Sequence, residues 1–174
     1  SQTKDSASDD WAVLIEKTDN IIKLLKNKDF AELSNFISEK NGLDFSPNSH
    51  EKLKVNNFNK EAVADFFNMD SVITWGVYDV SGLPIDLTPK DYYSKFIYDI
   101  DYLDKGETVP VKNNTTINRF YLNSVREFYK KGKIVISHYK GTEEIGFKDS
   151  KSLVLIFEYI NDTWFLVGMT HSEA

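Results

Sequence analysis

Apolar residues recur every three or four positions between Trp11 and Lys26. Trp11, Leu14, Ile15, Ile21, Ile22 and Leu25 fall on one stripe, which predicts an amphipathic helix covering a core. Asp9 or Asp10 stands where a carboxylate caps the first free amides. After a break at Asn27–Asp29, a second short helix is predicted from Phe30 to Ser38, with Phe30, Leu33, Phe36 and Ile37 inward and Asn41-Gly42 as its stop. The pattern then changes. Leu43 to Ser46 reads as a short strand ended by Pro47, and Asn59 caps a brief helix carrying Val63, Phe66 and Phe67. Ser71 to Tyr78 is β-branched and aromatic, a predicted strand followed by a turn at Ser81-Gly82-Leu83-Pro84. Thr88, Pro89 and Asp91 make a start signal for a third helix burying Tyr92, Tyr93, Phe96 and Ile97.

Residues 103 to 118 carry Gly106, Pro110 and Asn113-Asn114 and are predicted to form a long loop. A helical turn follows at Ser124 to Tyr129, then strands at Lys133–Tyr139, Ser152–Ile160 and Trp164–His171. Asn161-Asp162 is a hairpin signal between the last two. In the middle strand Leu153, Leu155 and Phe157 share one face while Val154 and Ile156 share the other. Apolar residues on both faces predict an interior strand covered from each side. The whole is an α+β domain: helices first, then a mainly antiparallel sheet.

Ser1 to Asp10 contain no large apolar side chain, so a flexible leader is expected at 1–10 and one domain at 11–174. A Ser/Asp/Lys-rich start suits the stretch after the lipidated cysteine of a bacterial surface lipoprotein, and the expectation is an extracellular, cell-surface location with a lipid anchor in the precursor. The 174 residues hold no cysteine, which removes disulfides, Cys-ligated metals and thiol nucleophiles. A net charge of −6 argues against nucleic acid or an anionic membrane as partner. Of the 21 basic residues only Arg119 and Arg126 are arginine, so bidentate anion clamps are scarce. No apolar run approaches the roughly 18–20 residues of a membrane-spanning helix.

The pattern SLVLIFEY–turn–TWFLVG across Ser152–Val167, with the phrase Lys28-Asp29-Phe30-Ala31-Glu32-Leu33, resembles nuclear-transport-factor-2-like (cystatin-like) domains. That resemblance implies a curved sheet wrapped around the helices as a cone that encloses a cleft. A narrower resemblance, to uncharacterised bacterial exported proteins and lipoproteins, lies in Asp44-Phe45-Ser46-Pro47, Trp75-Gly76, Ser81-Gly82-Leu83-Pro84-Ile85, Asp91-Tyr92-Tyr93 and Trp164 to His171. It implies location and fold but no activity, since one fold carries many functions.

Three constellations carry candidate chemistry. Trp75, with Gly76 beside it to leave its indole uncovered, and Tyr92, Tyr93 and Tyr98 make an aromatic lining for a ligand cleft, with His138 on a late strand nearby. The same rings are also the material of an ordinary core. Asp99, Asp101, Asp104 and Glu107 supply closely spaced oxygens of the kind calcium takes, without the EF-hand spacing. His138 and His171 on neighbouring late strands, with Glu144 or Glu158, match a two-histidine, one-carboxylate metal scheme, while His50 sits in a polar loop. No nucleophile elbow, Walker loop or dinucleotide fingerprint is present, and no resident cofactor is expected. The sequons at Asn113, Asn114 and Asn161 matter only in a eukaryotic secretory route. The expected function is noncatalytic binding of a small ligand or a protein partner. The alternative is a cone-fold enzyme with Asp79 or His138 as general base, Asp79 acting opposite Tyr92.

Overall fold

The computed structural model describes residues 2–49, 52–112 and 122–173. His50, Arg119 and the sequons at Asn113 and Asn114 lie outside them. The first helix, α1, runs Gln2–Lys26, so regular structure begins well before the apolar stripe does. Asp10 is therefore inside the helix rather than at its cap, and its carboxylate accepts the indole N–H of Trp164 at 3.4 Å. The short helix α2 (Phe30–Leu33) tightens into a 3₁₀ turn at Ser34–Phe36, with Asp29 capping it through the Glu32 amide.

The strands β1 (Leu43–Ser46) and β2 (Asn56–Phe58) flank the next loop, and α3 (Lys60–Ala64) is capped by Asn59 as its sequence predicts. The hairpin β3 (Ile73–Val77) and β4 (Pro84–Leu87) stands as a separate two-stranded sheet. The turn expected at 81–84 is present, but the chain continues from it into a strand. Next, α4 (Pro89–Tyr92) starts on the Thr88 cap and widens into a π-helical turn over Tyr93–Ile97. Two elements replace part of the expected loop at 103–118: a one-turn helix, α5 (Tyr102–Lys105), and a strand, β5 (Glu107–Pro110). Beyond it come α6 (Asn123–Phe128) and the long strands β6 (Lys133–Tyr139), β7 (Lys151–Ile160) and β8 (Thr163–Glu173).

Six of these strands form one sheet in the order β2-β1-β8-β7-β6-β5. Only β1 and β8 run parallel; the other pairs are antiparallel. The α+β class and the mainly antiparallel sheet agree with the sequence pattern. Asn161 and Asp162, both at positive φ, close the β7–β8 hairpin, where these residue types tolerate the left-handed conformation. A register shift between Ile156 and Phe157 swaps the side of the partner strand that each face meets.

The interior strand β7 has both faces covered, as its doubly apolar sequence requires. On one face Leu153, Leu155, Phe157, Leu166 and Met169 join Leu14, Ile21 and Leu25 of α1 and the aromatic rings of the hairpin region. On the other, Val154, Ile156 and Val167 meet Val125 and Tyr129 at the α6 end, with Leu53, Val111 and Leu122.

Candidate functional site

The aromatic group singled out from sequence is built from four elements, and it is solid. Trp75 is 1% exposed. One face of its indole lies on Tyr92, with centroids 3.8 Å apart, and the other side stacks on Phe58 at 5.6 Å. Phe45 meets it edge-on, and the indole N–H donates to the Leu87 carbonyl at 2.9 Å. The expectation of an uncovered indole beside Gly76 is corrected by strand geometry. Successive side chains of a strand point to opposite faces, so a missing side chain at 76 opens space on the far side from Trp75. There, Pro47 stands beside it: a Cβ on Gly76 would come 3.2 Å from the Pro47 ring, and the two residues line a shallow depression with Val77 and Asp79.

The three tyrosines divide their roles. Tyr92 is buried against Trp75 and Phe96. Tyr93 donates its hydroxyl to the Leu25 carbonyl at 2.6 Å, tying the π turn to the end of α1. Burial, and then the nearby Asp101 charge, push its hydroxyl up to about 12. Tyr98 donates to Asp101 Oδ1 at 2.7 Å and accepts the Leu103 amide. All three serve the core or its seams rather than one common lining.

The four acids of the predicted oxygen cluster also separate. Asp101 pairs with Lys26 at 2.8 Å, and Asp104 and Glu107 are exposed on α5 and β5. Asp99 alone turns inward. It follows the π turn, which adds a residue to the helical repeat and so re-aims the chain leaving it. Its Oδ2 accepts from Lys151 Nζ at 2.9 Å and meets His171 Nε2 at 2.9 Å, while Oδ1 accepts the Tyr102 hydroxyl at 3.0 Å. Burial by itself would raise Asp99, but the bonds and charges of His171 and Lys151 outweigh it and hold the carboxyl at about 2. An ionised carboxylate can only accept, so the shared hydrogen bond places a proton on Nε2 of His171. His171 is 2% exposed, with the Phe96 ring edge-on to it and Glu173 Oε1 3.7 Å from Nε2.

His138 and His171 do not converge. Neighbouring residues of a sheet row share a face, and His138 lies in the row Glu107–His138–Ser152–Ser172, whereas His171 lies in the row Thr108–Ser137–Leu153–His171. The two rows point to opposite sides. His138 Nδ1 meets Ser152 Oγ at 2.8 Å. Asp79 is exposed and accepts from Asn48 Nδ2, whereas the Tyr92 ring is buried under Trp75.

A concavity does lie on the His171 side of the sheet, one that sequence reasoning missed. It is a cleft of about 220 Å³ between α1 and the β5–β6 margin, lined by Asp19, Ile22, Lys23, Tyr102, Leu103, Gly106, Thr108 and Ser137. Asp19 on α1 accepts the Thr108 hydroxyl at 2.7 Å, bridging helix and sheet. At Gly106 the chain passes so close that a Cβ would sit 2.6 Å from the Tyr102 carbonyl. Tyr102 connects the two places: it is among the residues lining the cleft, and its hydroxyl is held by Asp99. Alternation on β6 would have put Ser137 on the helix-facing side, but no sequence pattern joins it to Asp19, 118 positions earlier in the chain.

No protein-family model, curated protein or solved structure matches this chain.

Proposed function

We propose that the protein is a noncatalytic binding domain of an exported bacterial protein, and that it holds a small polar ligand in the cleft between α1 and the β5–β6 margin. The cleft carries this reading. Its wall offers a carboxylate (Asp19), an ammonium (Lys23) and two hydroxyls (Thr108 and Ser137) around apolar surface from Ile22, Tyr102 and Leu103. A few fixed polar groups on an apolar lining are the usual composition of a small-ligand site. At about 220 Å³ the space suits a metabolite rather than a drug-sized molecule. The Trp75 group, by contrast, has no room for a guest.

The exported setting rests on the resemblance of Trp75-Gly76, Asp91-Tyr92-Tyr93 and Trp164 to His171 to bacterial exported proteins. Kinship with the nuclear-transport-factor-2-like domains is supported by the long N-terminal helix on one face of a six-stranded sheet whose last two strands form the β7–β8 hairpin.

A thermal-shift screen of small polar metabolites tests the proposal, because a ligand selective for the folded state must raise its stability. The expected result is a compound that raises the melting temperature of the wild type and has no effect on Lys23→Glu. Lys23 is exposed, so the fold tolerates the change. Equal shifts in both proteins, or no shift with any compound in the screen, would count against the cleft.

A further inference from the structure

Asp99, His171 and Glu173 each offer one donor atom, and the three atoms lie within 4.8 Å of one another. Among the described residues this is the one such gathering of three. From these donors we infer a binding site for a divalent transition metal of the zinc class, at the end of β8 and distinct from the ligand cleft.

The donors come from two rigid elements. His171 and Glu173 stand two apart on β8 and so share a face, and Asp99 is delivered opposite them by the π turn. Tetrahedral ligands at zinc bond lengths of about 2.0–2.2 Å lie about 3.4 Å from each other. The separations from His171 Nε2 are 2.9 Å to Asp99 Oδ2 and 3.7 Å to Glu173 Oε1, on either side of that value. One imidazole and two carboxylates with a remaining position for water form an N/O set suited to zinc or its neighbours rather than to calcium, which takes six to eight oxygens. The supporting contacts are also of the kind that metal sites use. Tyr102 holds Oδ1 of Asp99, so Oδ2 is the oxygen left to face the ion.

Lys151 now supplies the positive charge at this spot. Its ammonium lies 2.9 Å from Asp99 Oδ2, and Lys151 is directly across the β7–β8 ladder from Glu173. Entry of the ion requires two changes. The ammonium swings out, and the proton on Nε2 of His171 moves to Nδ1, leaving the Nε2 lone pair to the metal. Lys151 is thus an internal competitor, and its removal tightens the site.

Titration calorimetry with zinc chloride on the intact chain tests this. The wild type is expected to bind one Zn²⁺ per chain. Glu173→Gln, at a side chain 60% exposed and therefore safe for the fold, is expected to weaken binding about tenfold. His171→Gln should abolish the site, and Lys151→Met should tighten it by a similar factor. Cobalt substitution should give the intense visible absorption of a four-coordinate ion. The inference fails if neither the wild type nor Lys151→Met binds zinc at one equivalent. It also fails if folded Glu173→Gln or His171→Gln binds as tightly as the wild type, which would put the ion elsewhere. None of these outcomes depends on whether Lys23→Glu affects a cleft ligand.

Discussion

The indole of Trp75 and the ring of Tyr92 lie parallel, 3.8 Å apart between centroids and 13° apart in plane. Trp75 comes from β3 and Tyr92 from the end of α4, so this contact locks the small hairpin sheet onto the helix that follows it. Phe58 from β2 and Phe45 from β1 complete the joint. The aromatic residues therefore hold two sheets and a helix together, and the cleft proposed for a ligand lies elsewhere, beside α1.

Replacing Trp75 with alanine should act on stability. It removes a fully buried indole and strands the Leu87 carbonyl. The expected loss is about 3–5 kcal/mol, seen as a lower denaturation midpoint in urea. A Trp75→Ala protein with wild-type stability would mean that the ring is not part of the core.

Alkaline pH should unfold the protein. Tyr93 has its hydroxyl raised to about 12, first by burial and then by Asp101, and burial also drives Tyr92, Tyr98, Tyr102 and Tyr129 upward. In the unfolded chain each returns to the ordinary value near 10. A raised folded pKa means the native state holds the proton more tightly, so this stability is fully present below pH 10. It is lost as pH climbs from 10 through 12. Absorbance near 295 nm should show these tyrosines ionising together with loss of the far-ultraviolet circular dichroism signal. Ionisation of every tyrosine near pH 10 with the fold intact would contradict the burial.

Gly168→Ala should be costly although nothing is unusual in its backbone angles. A Cβ there would lie 2.8 Å from Tyr129 Oη and 2.9 Å from Cζ, and Tyr129 cannot yield without leaving Asp44, to which it donates at 2.8 Å. The expected destabilisation is about 1–3 kcal/mol. In a Tyr129→Leu background the same substitution should cost clearly less, which a double-mutant cycle measures. Equal costs in both backgrounds would exclude the ring as the obstacle.

Much of the architecture was legible because its signals are local. The stripe in α1, the Asn59 and Thr88 caps, the Asn161-Asp162 turn and the doubly apolar β7 each express a rule that operates within a few residues. Helix boundaries were less legible. The polar residues from Gln2 onward lack the apolar periodicity by which a helix is recognised, yet α1 begins there. Strands β2, β4 and β5 escaped notice because each is three or four residues long and includes Asn or Pro. Their extended form is imposed by a neighbouring strand more than by propensity.

By itself the sequence determined the fold class and the doubly apolar interior strand, since periodicity is a property of each segment alone. It also marked Asp99, His171, Tyr92 and Tyr98 as residues of interest, without saying which belong together. Tertiary structure decided that. Whether a ring is a wall or a filling depends on what stacks against its second face, and whether four acids make a cluster depends on where the backbone of each segment aims them. The meeting of Asp99 with His171 and Lys151, and of Asp19 with Thr108, joins positions far apart in the chain. Such contacts are products of strand order and a single π turn, and no window of sequence contains them.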